Sequence, residues 1–367
     1  MQNRSSLAAQ AHAEPLLPVY GEGGISGVIP GLLGAPTGVK GDVPTVLLVV
    51  DGLGWNQFNE RKHLVPTMAK MEARSITSVA PTTTAAGLPS ISTGLPPGEH
   101  GLLGYRMEVG GSVMNVLRWT DKRGDLRSVN PPNEVQPCPP FMGSRVPVVS
   151  KSIFAETGFT IAHLRGADHL GWRHTSAIAV EVGAQIRAGR KFVYAYYDGL
   201  DSVAHDKGFG AFYDAEIATV DRLVGDIVKV LPAGARLLVT ADHGQVHVGD
   251  ASVTLGTDVL ALVRQQSGEG RFRWLHARGG ATAELLAAAN QYADIAWVVS
   301  REQVIDEAWF GANMPSIHQQ RLGDVALVAR TNVTFDDPEE NGPYALVCRH
   351  GSLTPDEMLV PLLSASI

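Results

Sequence analysis

Short, unbroken apolar runs separated by longer amphipathic stretches set the rhythm of this chain. The first, at 43–50, reads Val43-Pro44-Thr45-Val46-Leu47-Leu48-Val49-Val50. It is apolar at almost every position rather than at every second one, which predicts a strand covered on both faces, as in a parallel sheet. Comparable runs at 159–164, 191–197, 235–240 and 344–348 predict further strands, and 75–80 is strand-like too. Helical periodicity is clearest over 211–230, where Ile217, Val220, Leu223, Val224, Ile227 and Val228 recur on one face. Strands alternating with helices predict an α/β three-layer sandwich with a mostly parallel central sheet.

Two stretches interrupt the pattern. Residues 105–145 are rich in Gly, Pro and Asn and hold Trp119, while 252–342 mix both periodicities and hold Trp274, Trp297 and Trp309. Both read as insertions that cap a substrate site. Residues 1–42 include Gly21-Glu22-Gly23-Gly24 and further glycines over 31–38, a composition that predicts an extended or loosely packed N-terminal arm. The main domain then spans 43–367.

Composition narrows the partners. The chain is 44% hydrophobic and 18% charged, ordinary for a folded protein, with a net charge of −7. That sign gives no bulk attraction for a nucleic-acid polymer or an anionic membrane. A small anionic substrate stays compatible, because bound metal ions supply local positive charge. Two cysteines, Cys138 and Cys348, make no disulfide framework. Residues 1–18 hold no apolar core of signal-peptide length, and nothing approaches a membrane span of about 20 apolar residues. Together these features predict a cytoplasmic protein. Twelve histidines invite a search for metal ligands.

Four predicted strands run directly into such ligands. Val50 is followed by Asp51-Gly52-Leu53-Gly54, and Tyr197 by Asp198-Gly199-Leu200-Asp201-Ser202-Val203-Ala204-His205. Thr240 precedes Asp242-His243-Gly244, and Cys348 precedes His350-Gly351-Ser352. Open parallel sheets bind ligands at the carboxyl ends of their strands, where these loops converge. Asp201 and His205, four apart, share a face if their loop closes into a helical turn. Adjacent Asp242 and His243 share a metal only where the chain has left the strand, which Gly244 favours. Taken singly, an Asp after a strand is as often a helix cap as a ligand, and a lone His is more often simply hydrogen-bonded. The weight lies in the combination. Carboxylate and imidazole without thiolate suit zinc, and manganese or iron as well.

A further motif runs Pro81-Thr82-Thr83-Thr84-Ala85-Ala86-Gly87-Leu88-Pro89-Ser90-Ile91-Ser92-Thr93-Gly94-Leu95, then Pro97 and His100-Gly101. It reads as a strand, a tight turn and a helix whose first turn carries a hydroxyl. Any of Thr82, Thr83 or Thr84 could serve as a cap. Alternatively, the hydroxyl is a nucleophile beside free backbone N–H groups that hold a phosphate oxygen.

These residues resemble the type I phosphodiesterase/nucleotide pyrophosphatase family of the alkaline phosphatase superfamily, from about Val46 to Leu363. That family's nucleophile segment is Pro-x-x-Thr, eight residues, Thr-Gly-Leu, then Pro-x-x-His-Gly, and Pro81, Thr84, Thr93-Gly94-Leu95, Pro97 and His100-Gly101 fill it without a gap. The order Asp, Thr, Asp-x-x-x-His, Asp-His-Gly, His-Gly is reproduced as well. The resemblance implies an alkaline phosphatase-like fold and two zinc ions. One would be held by Asp201, His205 and His350, the other by Asp51, Asp242, His243 and the Thr84 oxygen. It implies a hydrolase that works through a phospho-threonine on Thr84, with His100 structural.

Departures concern the substrate. The nucleotide pyrophosphatases carry an Asn donor where this chain has Tyr105, followed by Arg106, and their Phe-Pro-Asn after the nucleophile is Ala85-Ala86-Gly87 here. Tyr105 and Arg106 are candidate substitutes for that donor. Tyr196 matches the family's base-stacking aromatic, although a Tyr at a strand end is more often packing. Arg118 and Trp119 are weaker candidates for the pocket. The expected substrate is a small phosphodiester or pyrophosphate, with a phosphonate of the phosphonoacetate type or a phosphomonoester as alternatives. A sulfatase is disfavoured because no Cys/Ser-x-Pro-x-Arg segment is present, and a phosphoglycerate mutase because that branch uses Ser. A non-catalytic metal-binding relative is the remaining alternative, and no nucleophile or ligand is missing to support it.

Overall fold

The computed structural model describes residue 8 and residues 11–34, 43–340 and 346–367. Seven strands form the central sheet: β1 (Thr45–Val50), β2 (Glu72–Thr77), β3 (Pro147–Lys151), β4 (Asp168–Trp172), β5 (Phe192–Tyr197), β6 (Arg236–Thr240) and β7 (Leu359–Ser366). Their order is β2-β7-β6-β1-β5-β3-β4. Only β7 runs against its neighbours; β6, β1, β5, β3 and β4 are parallel. Every residue of β1 and β5 is buried. Because successive side chains point to opposite faces, both sides of the sheet must be covered there. One helical group packs Ala211–Val230 with Ser176–Arg187 and Gly199–Lys207. Another joins Thr84–Thr93 to Gly158–Leu164 and Val28–Leu33.

β1 lies between β5 and β6, so the carboxyl ends of three adjacent parallel strands open on one edge. Asp51 leaves β1 there, the helix carrying Asp201 follows β5, and Asp242 follows β6. This arrangement assembles the site.

The interrupting stretches form their own small sheets. Within 105–145, Arg106–Val109, Ser112–Asn115, Thr120–Asp121 and Gly124–Asp125 make an antiparallel sheet. Within 252–342, Val263–Glu269, Phe272–Ala277, Val325–Ala329 and Ala296–Ser300 make another, closed over a separate core that includes Val259, Leu285, Ile295 and Phe335. Glu108 ties the two together, accepting hydrogen bonds from Arg264 and from Gln265.

Three expectations need correction. Residues 159–164 are not a strand but most of the helix Gly158–Leu164. Thr157 caps it, its hydroxyl accepting from the Thr160 amide at 3.1 Å, and a six-residue run with four apolar positions is too short for periodicity to separate helix from strand. Residues 344–345 lie outside the described residues, and Cys348–Arg349 pairs only with Val246–His247, away from the central sheet. The described part of the N-terminal arm is not loose: Ile25 and Ile29 are fully buried, and the helix Val28–Leu33 packs on Thr84–Thr93. Glycine there serves close approach, since a Cβ on Gly24 would collide with the Val19 carbonyl.

Candidate active site

At the open edge the ligand-type residues gather into two groups. Asp51, Asp242 and His243 form one and Asp201, His205 and His350 the other, each with its ligand atoms within 4.8 Å of one another. Asp201 and His205 share a face of the helix Gly199–Lys207. Asp242 and His243 lie beyond the end of β6. Gly244 has no space for a side chain against the Asp356 carbonyl and Gly54, so that loop is held tightly in place.

In the first group, His243 Nε2 lies 3.3 Å from Asp51 Oδ1, 3.6 Å from Asp242 Oδ2 and 3.2 Å from Thr84 Oγ1. Both of those carboxylate oxygens are buried and have no hydrogen-bond partner among the described residues. The other oxygens are satisfied: Asp51 Oδ2 accepts from the Tyr196 hydroxyl, and Asp242 Oδ1 from the amides of Gly52 and His243. Burial, then the charges of Asp242 and Asp201, push the Asp51 carboxyl well above the usual carboxylate range. Burial likewise raises Asp242, against the opposing effect of His243. Unpaired buried carboxylates are costly, and a divalent cation where Asp51 Oδ1, Asp242 Oδ2 and His243 Nε2 converge supplies the missing counter-charge. These residues therefore fit a metal.

In the second group, His205 Nε2 is 3.3 Å from Asp201 Oδ1, and His350 Nε2 is 3.9 Å from the same oxygen and 3.2 Å from His205 Nε2. The ring of His350 also stacks on that of His243 at 3.7 Å, so the groups adjoin. Two imidazole nitrogens 3.2 Å apart beside a carboxylate make a donor set that fits a metal cation. Each ring is oriented from behind. His205 Nδ1 faces the Cys348 carbonyl at 2.7 Å, His243 Nδ1 the Gly244 carbonyl at 3.0 Å and His350 Nδ1 the Thr82 carbonyl at 2.8 Å. A proton on each Nδ1 leaves each Nε2 lone pair directed into the site, the tautomer a metal ligand requires. Burial, then the charges of His243 and His205, hold His350 well below its ordinary pKa and so neutral.

Thr84 opens the helix Thr84–Thr93. The capping reading of the hydroxyls does not hold, because Thr83, at the cap position, makes no side-chain cap bond. The Thr82 hydroxyl donates instead to the Ser352 carbonyl at 2.7 Å and accepts from the Gly351 amide at 2.9 Å, tying the helix start to the His350 loop. Ala86 and Gly87 amides bond to the Thr83 carbonyl. The amides of Thr84 and Ala85 precede the helical ladder and are the donors left for an incoming oxygen. Gly87 allows the helix to lie on Asp242, whose Cβ would stand 2.8 Å from an added Cβ.

A cavity of about 1010 Å³ opens over Thr84, Asp201, His205 and His350, walled by both small sheets. Tyr105 and Arg106 line it as expected, but the Arg106 guanidinium is engaged by Asp337. The Tyr105 hydroxyl accepts from Asn115 Nδ2 at 2.7 Å and keeps its own proton to donate. Tyr196 does not line the cavity. It is buried with its hydroxyl donating to Asp51, a candidate metal ligand, so the base-platform expectation does not hold. Trp119 is buried and bonded to the Asn130 carbonyl, while Arg118 reaches the cavity edge. His100 is buried against the Ser90 hydroxyl, away from both ligand groups.

Several participants carry no signal in the sequence. Gln245 donates to Asp201 Oδ1 at 2.8 Å. Glu357 accepts both Arg271 nitrogens at 2.8 Å, the Ser352 amide and the Thr354 hydroxyl, which fixes the loop after His350. Glu269 and Arg349 line the cavity. Only the spacing of Gln245, two residues after His243, could have flagged any of them.

The family model for type I phosphodiesterase / nucleotide pyrophosphatase matches residues 45–186 and 172–353. No curated protein matches the chain by sequence. Among solved structures, murine ectonucleotide pyrophosphatase / phosphodiesterase 5, in an inactive form in complex with AMP, is similar with a TM-score of 0.65 at 15% identity, over 88% of this chain and 87% of that one. The human protein of that name gives 0.65 at 15%, with the same coverage. Phosphonoacetate hydrolase from Sinorhizobium meliloti 1021, in complex with phosphonoformate, gives 0.65 at 18%, over 88% of this chain and 90% of that one. At these identities the likeness establishes the fold.

Proposed function

The chain belongs to the type I phosphodiesterase/nucleotide pyrophosphatase family of the alkaline phosphatase superfamily, and from that membership we propose that it is a di-zinc hydrolase of small phosphoesters acting through a phospho-threonine on Thr84. The observation that carries the reading is the convergence of Thr84 Oγ1 with His243 Nε2 at 3.2 Å, beside the unpartnered oxygens of Asp51 and Asp242. The donor set is nitrogen and carboxylate oxygen without thiolate, which suits zinc and is accepted by manganese or iron. Bound at the two groups, the ions would neutralise charge on the attacking and leaving oxygens and favour the ionised hydroxyl and water.

The chain's own residues do the rest. Thr84 Oγ attacks phosphorus in line, forming a P–O bond as the bond to the leaving oxygen breaks. The free amides of Thr84 and Ala85 hold a non-bridging oxygen as charge grows on it. Tyr105, its phenolic proton uncommitted, reaches the same cavity as a further donor. Water then attacks the phospho-threonine and returns the Thr84 hydroxyl.

Relatives of equal structural similarity were solved with AMP and with a phosphonate, so a phosphonate substrate is the second reading. The test is hydrolysis of a nitrophenyl diester, its matching monoester and phosphonoacetate by purified protein, with zinc, after chelation and with Thr84→Ala. Diester turnover that disappears with chelator and with the mutation supports the proposal. Turnover of phosphonoacetate alone moves the substrate class but keeps the mechanism, and turnover that survives Thr84→Ala sinks it.

A further inference from the structure

Glu269 is a buried carboxyl group in the cavity wall that the chemistry above does not use. It ends the strand Val263–Glu269, lines the cavity with Thr83, Thr84 and Tyr105, and is only 6% exposed. Neither of its oxygens has a hydrogen-bond partner at ordinary distance and angle among the described residues. The side chain is lodged between the loop after His350 and Gly104: a Cβ on Gly351 would stand 2.7 Å from its Cγ, and one on Gly104 3.7 Å from its Oε1. Nearby guanidiniums are bound to other carboxylates, Arg273 to Glu340, Arg106 to Asp337 and Arg271 to Glu357. A carboxylate buried without its own cation is costly, and such a group keeps its proton instead. Burial, the largest cause, raises the carboxyl to about 8 against the opposing Thr83 hydroxyl; Glu340 adds to the rise, and Arg273 and the Tyr105 amide lower it.

A neutral acid has a proton to place. Of the groups that face it, the Tyr105 amide and Arg273 can only donate, and Glu340 is engaged by Arg273. The Thr83 oxygen is the acceptor left. Thr83 holds the cap position of the helix Thr84–Thr93 with extended backbone, φ −138° and ψ 146°, yet its hydroxyl makes no cap bond. A capping Thr spends its oxygen on the amides of the first turn, and this one does not. A hydroxyl has one proton to give and lone pairs to receive one. When it accepts from Glu269, its own proton is free to point into the cavity, beside the amides of Thr84 and Ala85.

We propose that the Thr83 hydroxyl is a further substrate-binding group, donating to a non-bridging phosphoryl oxygen, and that Glu269, as the neutral acid, is the positioning residue that orients it. This rests on the hydrolase reading above and adds a side-chain donor to the two backbone amides. Glu269 does not touch the substrate; its effect passes through Thr83.

Calorimetric titration of the zinc-loaded protein with orthovanadate, a phosphoryl mimic, tests this without turnover. A hydrogen bond to a charged oxygen predicts that Thr83→Val binds the anion about tenfold or more weakly, while Thr83→Ser, which keeps the hydroxyl, stays close to the native affinity. Glu269→Met should lose part of the same affinity, and Glu269→Gln, neutral and still a donor, should recover most of that loss. In the Thr83→Val background Glu269→Met should cost nothing further, whereas a residue that merely packs the cavity wall would lower affinity by the same factor in both backgrounds. Zinc content and circular dichroism establish that each variant is intact, and the two Thr83 variants decide on the donor should Glu269→Met fail to fold. Thr83→Val within about twofold of the native protein, Glu269→Gln as weak as Glu269→Met, or equal losses from Glu269→Met in both backgrounds would overturn the proposal. So would a zinc-loaded native protein that binds no orthovanadate. Failure of the hydrolase reading shows separately, in the diester assay.

Discussion

Replacing Gly87 with Ala puts two physical effects in opposition, and the structure says which wins. Gly87 lies inside the helix Thr84–Thr93. On intrinsic propensity, Gly→Ala there should stabilise the protein by about 1 kcal/mol. A Cβ at this position, however, would stand 2.8 Å from Asp242 Cβ, 3.1 Å from the Asp242 carbonyl oxygen and 3.4 Å from its Cα. Carbon atoms rest at about 3.5–4.0 Å, so helix and loop must part by roughly 0.7 Å. Two of the three opposing atoms are backbone, and no side chain can swing aside. Overpacking of this kind costs about 1–3 kcal/mol, which exceeds the gain and leaves a net loss on the order of 1 kcal/mol. The effect on turnover is larger. Thr84 is carried on the same helix, and the displacement is directed along its approach to Asp242 and His243. A misplacement of about 1 Å at a reacting group costs about 100-fold. Gly225→Ala is the control: it too is a helix-interior glycine, but its Cβ would meet nothing closer than Thr67 Oγ1 at 3.5 Å. It should gain about 1 kcal/mol and keep full activity. Urea unfolding and diester turnover with zinc measure both quantities. A Gly87→Ala protein that is more stable than the native one, with turnover within about twofold, would show that the contact between helix and loop does not position Thr84.

Tyr196→Phe removes the hydroxyl that donates to Asp51 Oδ2 and little else; metal affinity should fall about 10–100-fold, as read by competition with a chromophoric chelator, with the unfolding midpoint of the metal-free protein nearly unchanged. Unaltered affinity would return Tyr196 to a packing role. Glu269 offers a pH test: burial, the largest cause, raises its carboxyl from 4.5 to about 8. Between those values the folded chain holds a proton that the unfolded chain has released. Stability contributed at lower pH is therefore lost as pH rises through that window, by up to about 1.4 kcal/mol per unit. In Glu269→Gln, which stays neutral, urea midpoints of the chelated protein from pH 5 to 8 should decline less steeply; parallel slopes would refute the assignment.

What the sequence exposes and what it conceals follow from how many constraints each residue answers to. β1 and β5 read correctly because strands covered on both faces must be apolar throughout. β4, Asp168–Trp172, sits at the sheet edge with most of its residues only half covered, so its polar sequence looks like a loop. β7 is hidden by Pro361, a residue that argues against an interior strand. It is tolerated because the ladder with β6 reaches only Leu363, leaving no partner on that side for the missing amide. The two candidate ligand groups could be picked out of the sequence because a metal accepts few side-chain types and an open sheet offers few places to put them. The structure brings all six into two groups, with Thr84 against the first. Tyr196 shows the limit of that logic. Its place before Asp201 suggested a base platform, yet its position along β5 turns the hydroxyl inward onto Asp51.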